Sequence, residues 1–210
     1  MTASKVVLWR HGQTGHNAAN RWQGHLDIDL DDVGRGQAER AAEQLAALTP
    51  SAVVSSDLVR AVDTAAVLGR LTGLTVAADP DLREVNAGRW QGLTSDEIDA
   101  RWPGELRAWR DGDDVPIGGA ERRSEAAARA AAAVERHAAK VPDGGLLVVC
   151  SHGGTLRGAT LQLIGLPISA WSAFVGLANS HWSVLVRRRS GWVIAEYNIG
   201  PRGAHVGAEA

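Results

Sequence analysis

Three short apolar runs stand out along the chain: Lys5–Trp9 (KVVLW), Ala52–Ser55 (AVVS) and Leu146–Cys150 (LLVVC). Each is rich in Val or Leu and lacks polar alternation, which predicts strands buried on both faces of a parallel sheet. Helical signals lie between them. Asp31 or Asp32 caps a helix running to about Leu48, with Pro50 beyond its end. Asp57 is expected to cap Leu58–Leu71, closed by Gly73. Thr94 and Glu97 have capping-box spacing before a short helix near Ile98. Residues 120–140 are alanine-rich and predict a helix, as does Thr155–Ile164, which Gly165 and Pro167 end. The segment HWSVLVRRRSGWVIAEYN predicts two strands turning at Ser190-Gly191, an antiparallel edge.

Strands alternating with helices predict an α/β fold with a mostly parallel sheet. Residues 86–119 are the least sheet-like, carry three of the eight tryptophans, and read as an insertion covering a site. No repeat or low-complexity linker divides the 210 residues, so one domain is expected, with a mobile tail over about 201–210.

Composition narrows the function. A formal net charge of -2 gives no bulk electrostatic reason to bind nucleic acid or a membrane surface. No apolar run reaches the length of a membrane span, and MTASKVVLWR is too short for a signal-peptide core. The single cysteine, Cys150, forbids an internal disulfide and fits a reducing cytoplasm.

Ligands of open α/β sheets bind outside the carboxyl ends of the strands. The three predicted strands end in Arg10-His11-Gly12, in Ser55-Ser56-Asp57 with Arg60 one turn further, and in Ser151-His152-Gly153-Gly154. Two histidines and two arginines therefore collect at one sheet edge. A cation near a helix N-terminus, as Arg60 would be, opposes the helix dipole unless an anion sits beside it. Arg10, Arg60 and two helix N-termini together suit a dianion such as phosphate.

These residues resemble the histidine phosphatase superfamily, which includes the phosphoglycerate mutases and many phosphatases. The likeness rests on four blocks in order: Arg10-His11-Gly12-Gln13-Thr14 with Asn17; Ser55-Ser56-Asp57-Leu58-x-Arg60-Ala61-x-x-Thr64-Ala65; Leu82-Arg83-Glu84 running into Gly88-x-Trp90-x-Gly92-Leu93-Thr94; and Ser151-His152-Gly153-Gly154. It covers roughly residues 5 to 185. It implies a three-layer α/β/α fold of the phosphoglycerate mutase type with a small helical cap.

The resemblance also implies roles. His11 would attack phosphorus as a neutral imidazole, its other nitrogen donating to a fixed acceptor such as a backbone carbonyl. Arg10, Arg60 and a protonated His152 would hold the phosphoryl oxygens. Glu84 would be general acid, then general base. Asn17 and Gln23 would add neutral donors, Gly12 would leave room for a close approach, and Gly153 and His181 would border the substrate. No ligand spacing for a metal ion is seen, and neither metal nor cofactor is expected. His16 and His25 are expected on the pocket wall or surface and His137 in solvent; Arg157 is expected in an ordinary salt bridge, with a substrate anion as the alternative; and Trp102 and Trp109 are expected to pack the cap, with stacking on a sugar face as the alternative.

The partner implied is a small phosphorylated metabolite. Within residues 86–119, Arg89, Arg101, Arg107 and Arg110 face seven acidic residues, a poor trap for the bisphosphate of a mutase. Phosphatase is therefore preferred to cofactor-dependent mutase, with a non-catalytic phospho-ligand module as the remaining alternative. The runs Arg21-x-Gln23-Gly24-x-Leu26-Asp27 and Trp90-Gln91-Gly92-Leu93-Thr94 are similar to actinobacterial glucosyl-3-phosphoglycerate phosphatases; a broad-specificity acid phosphatase is the other option. Gly118-Gly119-Ala120-Glu121 stands where that family has Gly-Gly-Glu-Ser. The C-terminal hairpin edge makes a homodimer an option.

Overall fold

A computed structural model describes residues 2–201; residues 202–210, nearly all of the expected mobile tail, lie outside the described residues. The chain order is β1 (Lys5–Arg10), α1 (Gly15–Ala18), α2 (Asp32–Ala46), β2 (Ala52–Ser55), α3 (Val59–Thr72), β3 (Val76–Ala78), α4 (Ser95–Arg101), α5 (Glu105–Arg110), α6 (Arg123–Ala138), β4 (Leu146–Ser151), α7 (Gly153–Leu163), β5 (Trp182–Arg188) and β6 (Gly191–Ile199). The sheet runs β3-β2-β4-β1-β5-β6. The first four strands in that order are parallel, and the β5–β6 hairpin continues the sheet antiparallel from β1.

The uninterrupted apolar runs are explained by the two faces they fill. Val6 and Leu8 of β1 pack with Ala130 and Val134 of α6 and with Leu156 and Ala159 of α7. Val7 and Trp9 point the other way, against Ala41 and Leu45 of α2 and Ala65 and Leu68 of α3. Each buried Val or Leu among these contributes about 1.5–3 kcal/mol through burial. β1 and β4 at the sheet centre are thus anchored on both faces, which makes their ends stiff mounts for the residues that follow.

Some expectations are corrected. Asp57 does not cap α3; both its oxygens take the Arg83 guanidinium, at 2.8 and 2.6 Å. The first amide of α3, Val59 N–H, donates instead to Asp27 Oδ1 at 2.7 Å. Asp31, not Asp32, caps α2 by accepting from Gly34 N at 2.7 Å. α6 begins after residue 120 because Gly118 and Gly119 take positive φ, 54° and 78°, in the turn before it. His137 is not solvated: its Nε2 lies 2.8 Å from Asp79 Oδ2, which Arg136 also holds. β3 went unseen because three weakly apolar residues carry no periodicity.

Residues 86–119 form a 3-10 turn at Gly88–Trp90, then α4 and α5, around Trp90, Ile98, Leu106 and Ile117. The Thr94–Glu97 capping box is present, with Thr94 N donating to Glu97 Oε2 at 2.8 Å. Trp102 packs under Arg89, 4.8 Å from the ring centroid to the guanidinium carbon. Among the described residues no helix is long and apolar enough to cross a membrane.

Candidate active site

Because β1 and β4 are parallel neighbours with Arg10 opposite Ser151, the residues after them emerge side by side. His11 N donates to Ser151 O at 3.0 Å, and the rings of His11 and His152 meet edge to face with centroids 5.1 Å apart. His11 borders a cavity of about 900 Å³ that also touches Arg10, Arg60, Glu84, Asn17 and Gln23. That is roomy for a small-molecule site.

His11 is 2% exposed, and its Nδ1 lies 2.6 Å from Gly12 O. A carbonyl can only accept, so Nδ1 carries the proton and Nε2 keeps its lone pair. Burial first, then the charges of Arg60 and Arg10, hold the His11 pKa well below the ordinary histidine value, against the smaller opposing effect of the Gly12 carbonyl. The ring is a neutral base in a strongly cationic setting. Gly12 does not open space for a ligand. A side chain there would meet Gly34 O of α2 at 2.3 Å, so the missing Cβ lets the loop after β1 lie against that helix.

Both arginines are tethered through main-chain oxygens. Arg10 Nη1 donates to Leu177 O at 2.6 Å. Arg60, fully buried near the start of α3, donates from Nη1 to Leu26 O at 2.6 Å and from Nη2 to Gly24 O at 2.9 Å. Desolvation lowers its pKa to about 10, so it keeps its charge. A guanidinium has five N–H groups, so each Nη of Arg60 retains one beyond its bond to the main chain.

His152 differs from the expectation of a charged ring. It is 0% exposed and stands behind Arg60, whose Nε donates to its Nδ1 at 3.2 Å. Its Nε2 lies 2.9 Å from Ser56 Oγ and donates there. Burial, then Arg60, His11 and Arg10, push its pKa well below the usual value, so the ring is neutral here. A third cation beside the buried Arg60 and the partly buried Arg10 is unfavourable without an anion to offset it.

Glu84, in the segment after β3, borders the same cavity with its carboxylate held against the start of α7. Its Oε1 accepts from Val85 N at 2.9 Å, Thr155 N at 2.9 Å and Thr155 Oγ1 at 3.0 Å, and its Oε2 accepts from Gly154 N at 3.2 Å. The main chain beneath it is fixed from two sides: His25 Nε2 and Arg129 Nη2 both donate to Glu84 O, at 2.8 and 2.9 Å. His25 is thus a positioning residue, a role its sequence neighbourhood did not suggest.

Asn17 Oδ1 accepts from Thr14 N and Asn179 Nδ2, and Asn17 Oδ1 and Gln23 Oε1 share the single hydroxyl proton of Thr14. Both oxygens are thereby turned inward, which leaves the two amide NH2 groups for the cavity. Gly153, the first residue of α7, borders the cavity, and a Cβ on it would stand 3.2 Å from Arg10 Nε. His181 also borders it, with Nδ1 donating to Asn198 O at 3.0 Å.

Four more residues border the cavity: Trp22 and Arg123, for which the sequence suggested no role; Arg157, expected in a salt bridge that the structure does not show; and Trp109, which packs on the cap cluster as expected. Trp22 stacks edge to face on Trp109, centroids 5.0 Å apart, and both border the cavity. Arg123 lies over Trp109 at 5.1 Å, and Arg157 donates to Phe174 O at 3.2 Å in place of the expected salt bridge. No spacing rule links residues 22, 109, 123 and 157; only the folded cap unites them.

Comparisons with known proteins agree with this geometry. The profile of the histidine phosphatase superfamily (branch 1) matches residues 6–200. The glucosyl-3-phosphoglycerate phosphatase of Mycobacterium tuberculosis is 42% identical over 192 residues, 88% of this chain and 86% of that protein. A metal-independent phosphoserine phosphatase of Arabidopsis thaliana is 36% identical over 93% of this chain and 81% of its own length. The solved structure of a mycobacterial glucosyl-3-phosphoglycerate phosphatase with VO3 superposes with a TM-score of 0.88 at 40% identity, covering 94% of this chain and 100% of that one. By sequence, fold and the extent of the match, the chain belongs to the histidine phosphatase superfamily (branch 1).

Proposed function

We propose that this protein hydrolyses the phosphomonoester of a small metabolite through a phosphohistidine on His11. The observation that carries the reading is the His11 imidazole: neutral, fixed by Gly12 O, its unprotonated Nε2 left beside two tethered guanidiniums. Nε2 attacks phosphorus, the bond to the leaving oxygen breaks, and Glu84 supplies that oxygen with a proton. Glu84 then takes a proton from water, the water oxygen attacks phosphorus, and the P–N bond breaks to release phosphate. Arg10 and Arg60 stabilise the oxygens throughout, supplying the positive charge that a metal ion supplies elsewhere.

His152 joins this set once the anion is present. A phosphate dianion favours a proton on Nδ1, which turns that nitrogen from an acceptor for Arg60 into a donor to phosphate. The Arg60 Nε–H is freed by the same exchange. Asn17 and Gln23 donate from their amides.

Glucosyl-3-phosphoglycerate is the substrate we place first, on the strength of the mycobacterial relatives and of a cavity larger than a phosphate alone requires. The compartment we propose is the reducing cytoplasm, supported by the lone buried Cys150, whose thiol burial pushes up. β6 ends the sheet, and a homodimer pairing two such edges is part of the proposal; a monomeric mass by light scattering would remove it.

The decisive assay is release of p-nitrophenol from p-nitrophenyl phosphate in EDTA. Wild type should turn over and His11→Ala should lose about 10³-fold or more. Turnover that survives the substitution would exclude this mechanism.

A further inference from the structure

Arg123 and Arg157 border the same cavity as His11. Arg123 is 7% exposed, and its Nε has no hydrogen-bond partner among the described residues. One Nη donates to Trp109 O, and the guanidinium lies over the Trp109 ring. Arg157 is half-buried in the second turn of α7, about 6 Å along the helix axis from Gly153 at 1.5 Å per residue. Neither guanidinium has a carboxylate within ion-pair distance among the described residues. Asp114 and Asp113 on the cap act on Arg123, and Glu84 on Arg157, from beyond ion-pair distance, and Asp114 is already taken up by Ser124 N and Ser124 Oγ.

Two features make this pair more than solvated charge. Arg123 is the first residue of α6, where the helix dipole opposes a cation, and Arg60 occupies a similar place in the first turn of α3. At Arg60 that opposition is offset by the anion expected there. Arg157 is also the strongest charge acting against Arg123, after burial, so two like charges share a poorly hydrated wall. One segment positions both ends of the cavity: Leu177 O holds Arg10 and Phe174 O holds Arg157.

We propose that Arg123 and Arg157 form a second anion subsite, which binds a carboxylate on the leaving group of the phosphomonoester while Arg10 and Arg60 bind its phosphate. This rests on the phosphatase reading and assigns two residues to the carboxylate that the substrate placed first carries. The planar forks suit a carboxylate, and Trp22 and Trp109 give the same cavity an apolar surface beside Arg123.

The test compares kcat/KM for 3-phosphoglycerate and glycerol 3-phosphate, which differ by a carboxylate against a hydroxymethyl group. Wild type should prefer 3-phosphoglycerate by about tenfold or more, the worth of one charge-assisted pair. In Arg123→Gln and Arg157→Gln the ratio of the two values should fall by about tenfold, with the lysine variants in between. A wild-type ratio near one would overturn the proposal without any variant. So would a ratio that stays constant while both rates fall together, which marks a structural role. An arginine-dependent preference for propane-1,3-diol bisphosphate over 3-phosphoglycerate would overturn the carboxylate assignment. Turnover of p-nitrophenyl phosphate in the same preparations separates the failures: its loss in wild type sinks the phosphatase reading, whereas its survival with an unmoved ratio sinks the subsite alone.

Discussion

The phosphoryl end of the cavity draws its groups from residues next to buried strands, whereas the far wall draws Trp22, Trp109, Arg123 and Arg157 from a loop, a short cap helix and the beginnings of two helices. At the first end, nearly every polar group is tied to the main chain: His11 to Gly12 O, Arg60 to Gly24 O and Leu26 O, Arg10 to Leu177 O. Backbone tethers hold position whatever side chains surround them. The other wall also has main-chain tethers, Arg123 to Trp109 O and Arg157 to Phe174 O, but its aromatic groups are held by side-chain stacking, edge to face between Trp22 and Trp109 with Arg123 over the Trp109 ring. Such a wall can be rebuilt by a few substitutions without disturbing the strands. The contrast assigns reaction type to one end and substrate choice to the other.

Glu84 lies between the two ends, and its removal should show the division most strongly. With Glu84→Gln, an alkyl ester such as glycerol 3-phosphate is expected to lose about 10²–10⁴ in kcat, the usual worth of a general acid. p-Nitrophenolate leaves without help, so the variant should release a burst of p-nitrophenol close to one per enzyme and then stall, because hydrolysis of the phosphohistidine still needs a base. Rapid-mixing measurements would show it. Equal losses on both esters with no burst would place Glu84 in binding instead of proton transfer.

Much of the phosphoryl end was legible in the chain because strand ends are legible. A buried run followed at once by Arg-His or Ser-His fixes both the place and the direction of those residues, and parallel pairing of β1 with β4 makes them neighbours. The charge state of His152 was not legible. It depends on Arg60 and Ser56, which arrive from another strand end and occupy both ring nitrogens. The Asp57 cap failed for a related reason. Its N-terminal position suits a cap, but Arg83 offers two charged hydrogen bonds and takes the carboxylate away. Gly12 misled through an assumption that space near a nucleophile serves the ligand, when a helix fills it.

Stability against pH separates the two ends next. His11, His152 and His25 all have pKa values lowered from 6.5, each mainly by burial. The unfolded chain therefore binds more protons below pH 6.5 than the folded chain does. The stability these groups contribute is present in full above 6.5 and is lost as pH falls toward their folded values, by up to about 1.4 kcal/mol per pH unit for each group. Thermal unfolding between about pH 7 and pH 5 should show a falling Tm, with a shallower fall in His11→Asn, which removes one of the three groups. Orthovanadate should blunt the fall by favouring a protonated His152. An Arg123→Gln slope matching wild type would keep the effect at the phosphoryl end; an unchanged slope in His11→Asn would remove His11 from it.

The smallest expected effect lies at Asp27, which joins the loop bearing Gln23 and Gly24 to the first amide of α3. Loss of an N-cap costs about 1 kcal/mol, or about 2–4 °C in Tm for a chain of this size. Asp27→Ala should show that drop. Because Arg60 is the second residue of α3, its guanidinium would be less firmly aimed, and kcat/KM for p-nitrophenyl phosphate should fall by less than about tenfold. Arg60 keeps its bonds to Gly24 O and Leu26 O in the variant, which is why the loss stays small. Asp57→Ala is the counterpart, since Asp57 touches Arg83 and not the helix amide. Its effect on α3 should be slight, and its effect on rate should come through the Arg83-Glu84 segment and depend on the leaving group. If the two variants behave alike across leaving groups, the cap at Asp27 and the clamp at Asp57 serve one end of the cavity, and the division of labour between the two walls is weaker than their construction implies.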